Sequence, residues 1–186
     1  MSDNEKNRIR KEIIGRLREQ DPELRKKRSG KIRKKLLACE AFTASKTVMI
    51  YVSMPEEVAT MELIRTALTG GKKIAVPYLE TGAPDIKVSE LRAINDLEKG
   101  PYGIYQPEKD SVKAVPLKEI ELVIVPAVAF DPSNMRLGRG KGYYDRFLSR
   151  EEMVYARTIG LAFSFQIVDR LPSAPHDRPV SRVITD

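Results

Sequence analysis

Two hydrophobic rhythms divide the chain. In the first forty residues apolar side chains recur at helical spacing: Ile9, Ile13 and Leu17 stand four apart behind Ser2-Asp3-Asn4-Glu5, a capping-box pattern. The spacing predicts a helix from about Asp3 to Glu19. Asp21-Pro22-Glu23 marks a second helix start, with Asp as N-cap and Pro at the first helical position. Its apolar stripe is Leu24, Ile32 and Leu36, and it is expected to reach about Cys39. From Thr47 onwards the rhythm changes to short continuous apolar runs bounded by turn residues. Thr47 to Val52, Lys73 to Leu79, Leu122 to Phe130 and Arg157 to Phe163 have the length and β-branched content of strands buried on both faces. Thr60 to Leu68 reads as a helix ended by Gly70-Gly71. Ile86 to Leu91 and Val183 to Thr185 read as shorter strands, and Phe165 to Val168 as a connector.

Strand alternating with helix after two leading helices predicts an α/β fold, a mostly parallel sheet with helices on both faces. No repeat, low-complexity tract or linker interrupts it. The 186 residues are therefore read as one domain, 1–186, in which a basic helical part, 1–40, packs on the α/β body. Such a length buries roughly two-thirds of the unfolded surface. Residues 80–119 are the least informative, with turn-rich Gly100-Pro101-Tyr102-Gly103-Ile104-Tyr105-Gln106-Pro107 at their centre.

Charge sharpens the division. The net charge is +7, and Met1 to Leu37 holds 14 Lys/Arg against 6 Asp/Glu, leaving 19 against 20 in the rest. A basic N-terminal part suits nucleic acid, a membrane surface or a small polyanion. No aromatic residue precedes Phe42, so it offers no stacking platform for single-stranded nucleic acid. Cys39 is the only cysteine and His176 the only histidine, which excludes an internal disulfide and a Cys/His zinc site. No apolar run approaches the roughly 18 residues of a membrane span, and Met1 to Arg10 lacks the apolar core of a signal peptide. A soluble, cytoplasmic protein is expected.

The chemistry concentrates after Leu122. Asp131 to Arg136 forms a polar loop punctuated by Pro132 and by Asn134, which tolerates a left-handed backbone. Gly138-Arg139-Gly140-Lys141-Gly142 then runs into a helical segment whose Tyr144, Phe147 and Leu148 face the core. Strand, glycine loop and helix start is an arrangement in which backbone amides hold a phosphate, here with two cations between the glycines. It matches neither GxGxxG nor GxxxxGK[ST]. On local pattern alone an anion cradle and a plain tight turn both remain open. Lys6 and Arg10 share a helix stripe able to bracket a polyphosphate or simply to be solvated. Gly71-Lys72-Lys73 precedes a strand and reads as a turn. Cys39 reads as a packing residue, Glu57 as a surface residue, Asp145 as a complement to the helix dipole, and His176-Asp177 as a pair that orders its loop.

Arg136 to Leu148, RLGRGKGYYDRFL, resembles the signature of the 5-formyltetrahydrofolate cyclo-ligase (methenyltetrahydrofolate synthetase) family. The resemblance extends to Lys6-x-x-x-Arg10, to Val52-Ser53-Met54-Pro55-Glu56-Glu57-Val58 and to His176-Asp177, and is thin between about Glu80 and Glu119. It implies a three-layer α/β architecture and ATP-dependent closure of 5-formyltetrahydrofolate to 5,10-methenyltetrahydrofolate, with ADP and phosphate released. By the same resemblance Lys6 and Arg10 contact ATP, as does the run Arg136, Leu137, Gly138, Arg139, Gly140, Lys141, Gly142, Tyr143 and Tyr144. Val52 and Glu57 contact the folate, together with Arg139, Gly140, Lys141, Gly142 and Tyr143. Asp145 and Asp177 are implied as Mg2+ ligands, and Arg139 and Lys141 as the catalytic cations. Ala127, Asn134, Ile9 and Ser181 depart from the family pattern, and Ser181 is expected to remove a charge near the metal site.

A formyl group on nitrogen is a poor electrophile until its oxygen becomes a leaving group. Phosphorylation accomplishes this, and γ-phosphoryl transfer demands alignment and charge neutralisation above all. The expected partners are thus two small molecules, 5-formyltetrahydrofolate and ATP, with neither membrane nor nucleic acid, acting on a monomer or weak homodimer. Two other readings remain: a non-catalytic ATP- or folate-binding protein, and a nucleic-acid module using the basic N-terminus.

Overall fold

The computed structural model describes residues 2–186 apart from 173, 175 and 176, and only the backbone of residue 2. His176, singled out above, lies outside the described residues. Two long helices lead the chain, α1 (Ser2–Arg18) and α2 (Pro22–Leu37). The Asp21 carboxylate accepts the Leu24 N–H at 2.8 Å, the cap that its Asp-Pro pair predicts. A short α3 (Glu40–Ala44), not foreseen, leads into β1 (Thr47–Ile50). There follow α4 (Met61–Thr69), β2 (Lys73–Tyr78) and β3 (Lys87–Leu91), then a small hairpin of β4 (Leu97–Lys99) and β5 (Tyr105–Pro107). The remaining elements are β6 (Leu122–Val125), β7 (Ala129–Phe130), β8 (Arg136–Leu137), α5 (Tyr143–Leu148), β9 (Arg157–Leu161) and β10 (Arg182–Ile184).

Six strands form the main sheet in the order β10-β9-β6-β1-β2-β3. All neighbours are parallel except β2 and β3. Alternation along the strands splits the core into two layers. Val48, Ile50, Ile74, Val76, Leu122 and Ile124 face α1, α2 and α4, meeting Ile13, Leu17, Ile32, Leu36, Leu63 and Ile64. Met49, Ala75, Val123 and Val125 face the opposite way, towards Phe130, Phe147 and Met153. Helices therefore cover both faces, but unequally: the second face has only the six-residue α5 and short 3-10 turns.

The run from Leu122 to Phe130 is not one strand. It leaves the sheet after Val125, where Pro126 has no N–H for the ladder, and resumes as β7, which pairs with β8 in a separate two-stranded ribbon. That break aims the following glycine loop across the C-terminal ends of the parallel strands, where open α/β sheets bind ligands. Gly160 in β9 makes room for the ribbon: a Cβ there would stand 2.3 Å from the Phe130 ring. Gly160→Ala is expected to cost about 1–3 kcal/mol by overpacking, read as a lower urea midpoint. An unchanged midpoint would show that Phe130 can yield.

The turn reading of Gly71-Lys72-Lys73 is consistent with the geometry. Gly71 has φ of 77°, and the Lys72 ammonium donates to the carbonyls of Thr43 and Ser45. Cys39 is free and packs, half-buried, against the first core layer.

Candidate functional site

The glycine loop is held from beneath by side chains that sequence motifs did not mark. The buried Asp131 carboxylate accepts the N–H groups of Ser133 (2.9 Å) and Met135 (3.1 Å) with one oxygen and that of Leu171 (3.0 Å) with the other. This wraps the turn in which Asn134 takes φ of 61°, the left-handed conformation expected of it. The Gln166 amide donates to the carbonyls of Ala127 and Val128, both at 3.0 Å, fixing the break after β6. Gly140 and Gly142 have φ of 101° and 66°. With a six-residue helix behind it, the loop gains little from a helix dipole, so anion binding here rests on backbone amides and full charges.

Two cavities meet along this loop. A mainly apolar one of about 300 Å³ lies between the ends of β1 and β2 and the glycine loop, lined by Val52, Glu57, Leu79, Ile86, Tyr102 and Ile104 among others. A polar one of about 490 Å³ lies on the other side, against α1, and Lys6, Arg10, Gly140, Arg146 and Asp177 line it. Arg136, Gly138, Lys141, Gly142 and Asp145 border both.

The charges fall into three sets. At the polar cavity, Lys6 Nζ donates to Asp177 Oδ2 at 2.6 Å across 171 residues of sequence, and Arg10 Nε donates to the Gly138 carbonyl at 3.0 Å. At the shared wall, both terminal nitrogens of Arg136 donate to Asp145 Oδ1, at 2.8 and 2.9 Å. Burial pulls the Arg136 guanidinium below its ordinary pKa, against the charges of Asp145, Tyr144 and Asp177, without approaching neutrality. At the apolar cavity, Arg139 is gripped by Glu56 Oε1 (2.9 Å) and Glu57 Oε1 (3.1 Å). Burial depresses its pKa, but the charge of Glu57 and hydrogen bonds to both carboxylates outweigh that and hold it up. Among the described residues no carboxylate pairs with Lys141, whose position borders both cavities.

Burial pushes the Glu56 carboxyl up, but hydrogen bonds from its own backbone N–H and from Arg139, with the charges of Arg139 and Arg18, bring it below the ordinary range. Folding therefore favours the ionised form. The unfolded chain binds this proton more readily, so the contribution is full above the unfolded value of about 4.3 and fades as pH falls through the lower folded value. Glu56→Gln should flatten the acid limb of the stability profile below about pH 4.5, measured by urea unfolding at successive pH values. A limb as steep as before would place the acid sensitivity elsewhere.

Three tyrosines complete the apolar cavity. Tyr51 donates to the Val58 carbonyl at 3.2 Å, and burial, then Glu57 and Tyr144, push its hydroxyl well up. Burial, with Glu57 adding, raises the Tyr144 hydroxyl strongly. That hydroxyl and Arg136 Nε are buried without a hydrogen-bond partner among the described residues. Tyr143 donates to the Ala83 carbonyl at 3.2 Å, and its hydroxyl is raised by a hydrogen bond with Tyr102 and by burial, with Arg146 opposing.

A model of the 5-formyltetrahydrofolate cyclo-ligase family matches residues 2–186. The chain belongs to this family. It is 32% identical over 184 residues to 5-formyltetrahydrofolate cyclo-ligase of Mus musculus, covering 95% of this chain and 91% of the mouse protein. The Escherichia coli (strain K12) cyclo-ligase is 31% identical over 140 residues, 75% of this chain and 77% of that one. Among solved structures, 5,10-methenyltetrahydrofolate synthetase of Aquifex aeolicus superposes with a TM-score of 0.84 at 32% identity, covering 97% of this chain and 89% of that chain. The α/β fold with its mostly parallel sheet is thus the fold of the family.

Measured against the family resemblance, the residues expected at one site do converge. Val52 and Glu57 line the apolar cavity; Lys6, Arg10, Leu137, Gly140 and Asp177 line the polar one. Arg139, Tyr143 and Tyr144, expected at the nucleotide as well, line the apolar cavity and not the polar one. Ser181 lines neither, and is tied to Thr158 through a 2.8 Å bond from its N–H. The expectation that it strips charge from the metal site is therefore corrected: the β9–β10 junction holds it. No cluster of three or more His, Cys, Asp or Glu able to hold a metal occurs among the described residues. A magnesium ion carried by a nucleotide needs only one or two carboxylates, and Asp145 and Asp177 both face the polar cavity. Arg136 engages only the Oδ1 atom of Asp145, which leaves Oδ2 outside that ion pair. The donor set fits.

Proposed function

We propose that this chain carries out the reaction of its family: ATP-dependent cyclisation of 5-formyltetrahydrofolate to 5,10-methenyltetrahydrofolate, with release of ADP and phosphate. The observation that carries the reading is the shared wall. An apolar cavity suited to a pterin-like ring system and a cationic one suited to a triphosphate touch along Arg136, Gly138, Lys141 and Gly142. A formyl oxygen in the first and a γ-phosphoryl group in the second can therefore meet over one loop.

Glu57 offers its carboxylate to the N–H donors of the pterin, and Val52 packs beside it. Lys6 and Arg10, on one stripe of α1, take phosphate oxygens. Backbone amides of Gly138, Gly140 and Gly142 hold the transferring group, and Lys141 neutralises charge that develops on it. The formyl oxygen attacks phosphorus as the bond to ADP breaks. The folate's N10 then attacks the activated carbon, the C–O bond breaks, and phosphate leaves with the proton that N10 loses. Arg139, released from Glu57 when the pterin occupies that carboxylate, adds positive charge on the folate side. Asp145 and Asp177 would hold Mg2+, which supplies neutralisation of the β- and γ-phosphates. The enzyme acts as a monomer or weak homodimer in the cytoplasm; no helix among the described residues is long and apolar enough to cross a membrane.

The test is formation of the methenyl product, followed by its absorbance, with 5-formyltetrahydrofolate and Mg-ATP and in a parallel reaction without ATP. Product that grows only with ATP is expected. Binding of both ligands without product would instead identify a non-catalytic binder.

A further inference from the structure

Arg146 lies in the last turn of α5 and ties the glycine loop to the connection between β2 and β3. Its Nη1 donates to the Lys141 carbonyl at 3.0 Å. Its Nε donates to the Pro84 carbonyl at 3.0 Å, and Nη2 donates to the same oxygen. Asp85 stands 3.5 Å from Nε, and the guanidinium lies 5.3 Å from the centre of the Tyr143 ring. Tyr143 in turn donates to Ala83, so residues 83–85 are fastened to α5 by two side chains. Gly142 lacks a side chain where Arg146 passes: a Cβ there would lie 2.8 Å from Nη1.

One end of this strut stands at the wall the two cavities share and the other on the apolar side alone, while Arg146 itself lines the polar cavity. Lys141 borders both, whereas the connection from β2 to β3 that carries Pro84 runs between Leu79 and Ile86, which line only the apolar one. The Asp85 pair is half-exposed and contributes little by itself. The planar fork engages the Lys141 carbonyl with one nitrogen and the Pro84 carbonyl with the other two, a fixed geometry that the single nitrogen of a lysine does not reproduce.

We propose that Arg146 is a positioning residue that couples the two substrates: nucleotide on the glycine loop fixes the Lys141 carbonyl, Arg146 transmits that order to residues 83–85, and the folate cavity is thereby pre-formed. The inference rests on the cyclo-ligase reading of the two cavities. Its consequence is reciprocal, since nucleotide that tightens folate binding must itself be bound more tightly when folate is present.

Calorimetric titration of 5-formyltetrahydrofolate, with and without a non-hydrolysable ATP analogue and Mg2+, tests it on the full chain. The wild type should bind the folate about tenfold more tightly with the analogue, a coupling within the usual range. Arg146 also lines the polar cavity, so each variant is first titrated with the analogue alone and then compared at analogue saturation; there Arg146→Gln and Arg146→Lys should bind the folate with the same affinity they show without the analogue, and their KM for folate should rise. In the wild type alone, hydrogen exchange at residues 83 and 85 should slow when only the nucleotide analogue is added. Wild-type coupling retained in either folded variant, no coupling in an active wild type, or exchange indifferent to nucleotide would overturn the proposal. Absence of ATP-dependent product from the wild type would instead defeat the cyclo-ligase reading itself.

Discussion

Lys141→Ala is expected to lower kcat by about two orders of magnitude, the roughly 3 kcal/mol that one preorganised charge supplies in a transition state. Lys141 is exposed, and no carboxylate among the described residues pairs with it, so its removal leaves no buried charge stranded. The melting temperature should therefore stay near that of the wild type while turnover falls. Steady-state kinetics at saturating ATP and folate separate this from a binding defect, which would raise KM and leave kcat alone. A variant with unchanged turnover would move the catalytic charge to Arg139, which is ion-paired with Glu56 and Glu57.

Arg136→Met acts on stability instead. The Arg136 side chain is 2% exposed and Asp145 21% exposed, so the substitution strands a half-buried carboxylate beside an apolar neighbour. Breaking a buried pair by removing one member costs about 3–5 kcal/mol, and partial hydration of Asp145 points to the lower end. Urea unfolding reads the loss directly. The double variant Arg136→Met/Asp145→Asn should recover most of it, because no charge is then left unpaired. If the single variant is as stable as the wild type, the pair is held for chemistry alone. The buried Nε of Arg136 has no partner among the described residues, so the ion pair with Asp145 rests on the two terminal nitrogens.

Elements with a strong period were legible in the chain. Ile9, Ile13 and Leu17 marked α1, Asp21-Pro22 marked the start of α2, and the apolar runs after Thr47 marked the parallel strands, because burial on one stripe or on both faces leaves a pattern that neighbours do not alter. The run Leu122 to Phe130 misled for a definite reason: both its halves are buried, but Pro126 cannot continue a ladder, and the second half pairs with β8 instead. At the site, the glycine loop and its cations were visible because they are contiguous. Val52 and Glu57 came only through the family resemblance, and the remaining walls of the apolar cavity were not legible. Tyr102 reaches it from a turn with φ of 60°, and the Gln106 amide pins that hairpin to both the N–H and the C=O of Leu79, at 2.9 and 3.1 Å. Asp131 and Gln166 likewise act through backbone groups that no local pattern announces. Such contacts depend on which distant backbone presents an unpaired carbonyl, and that is decided only when the chain is folded.

The bond between Lys6 and Asp177 gives the molecule a birth order. During synthesis every residue that lines the apolar cavity has emerged with Asp145, but Gln166 and Leu171, which fasten its glycine loop, come later, and the cationic cavity must wait for a residue 171 positions beyond Lys6. Ligand stabilises only what can bind it. Both cavities thus take their final form only after the residues that follow β9 are made, and no bound molecule can steady the chain before then.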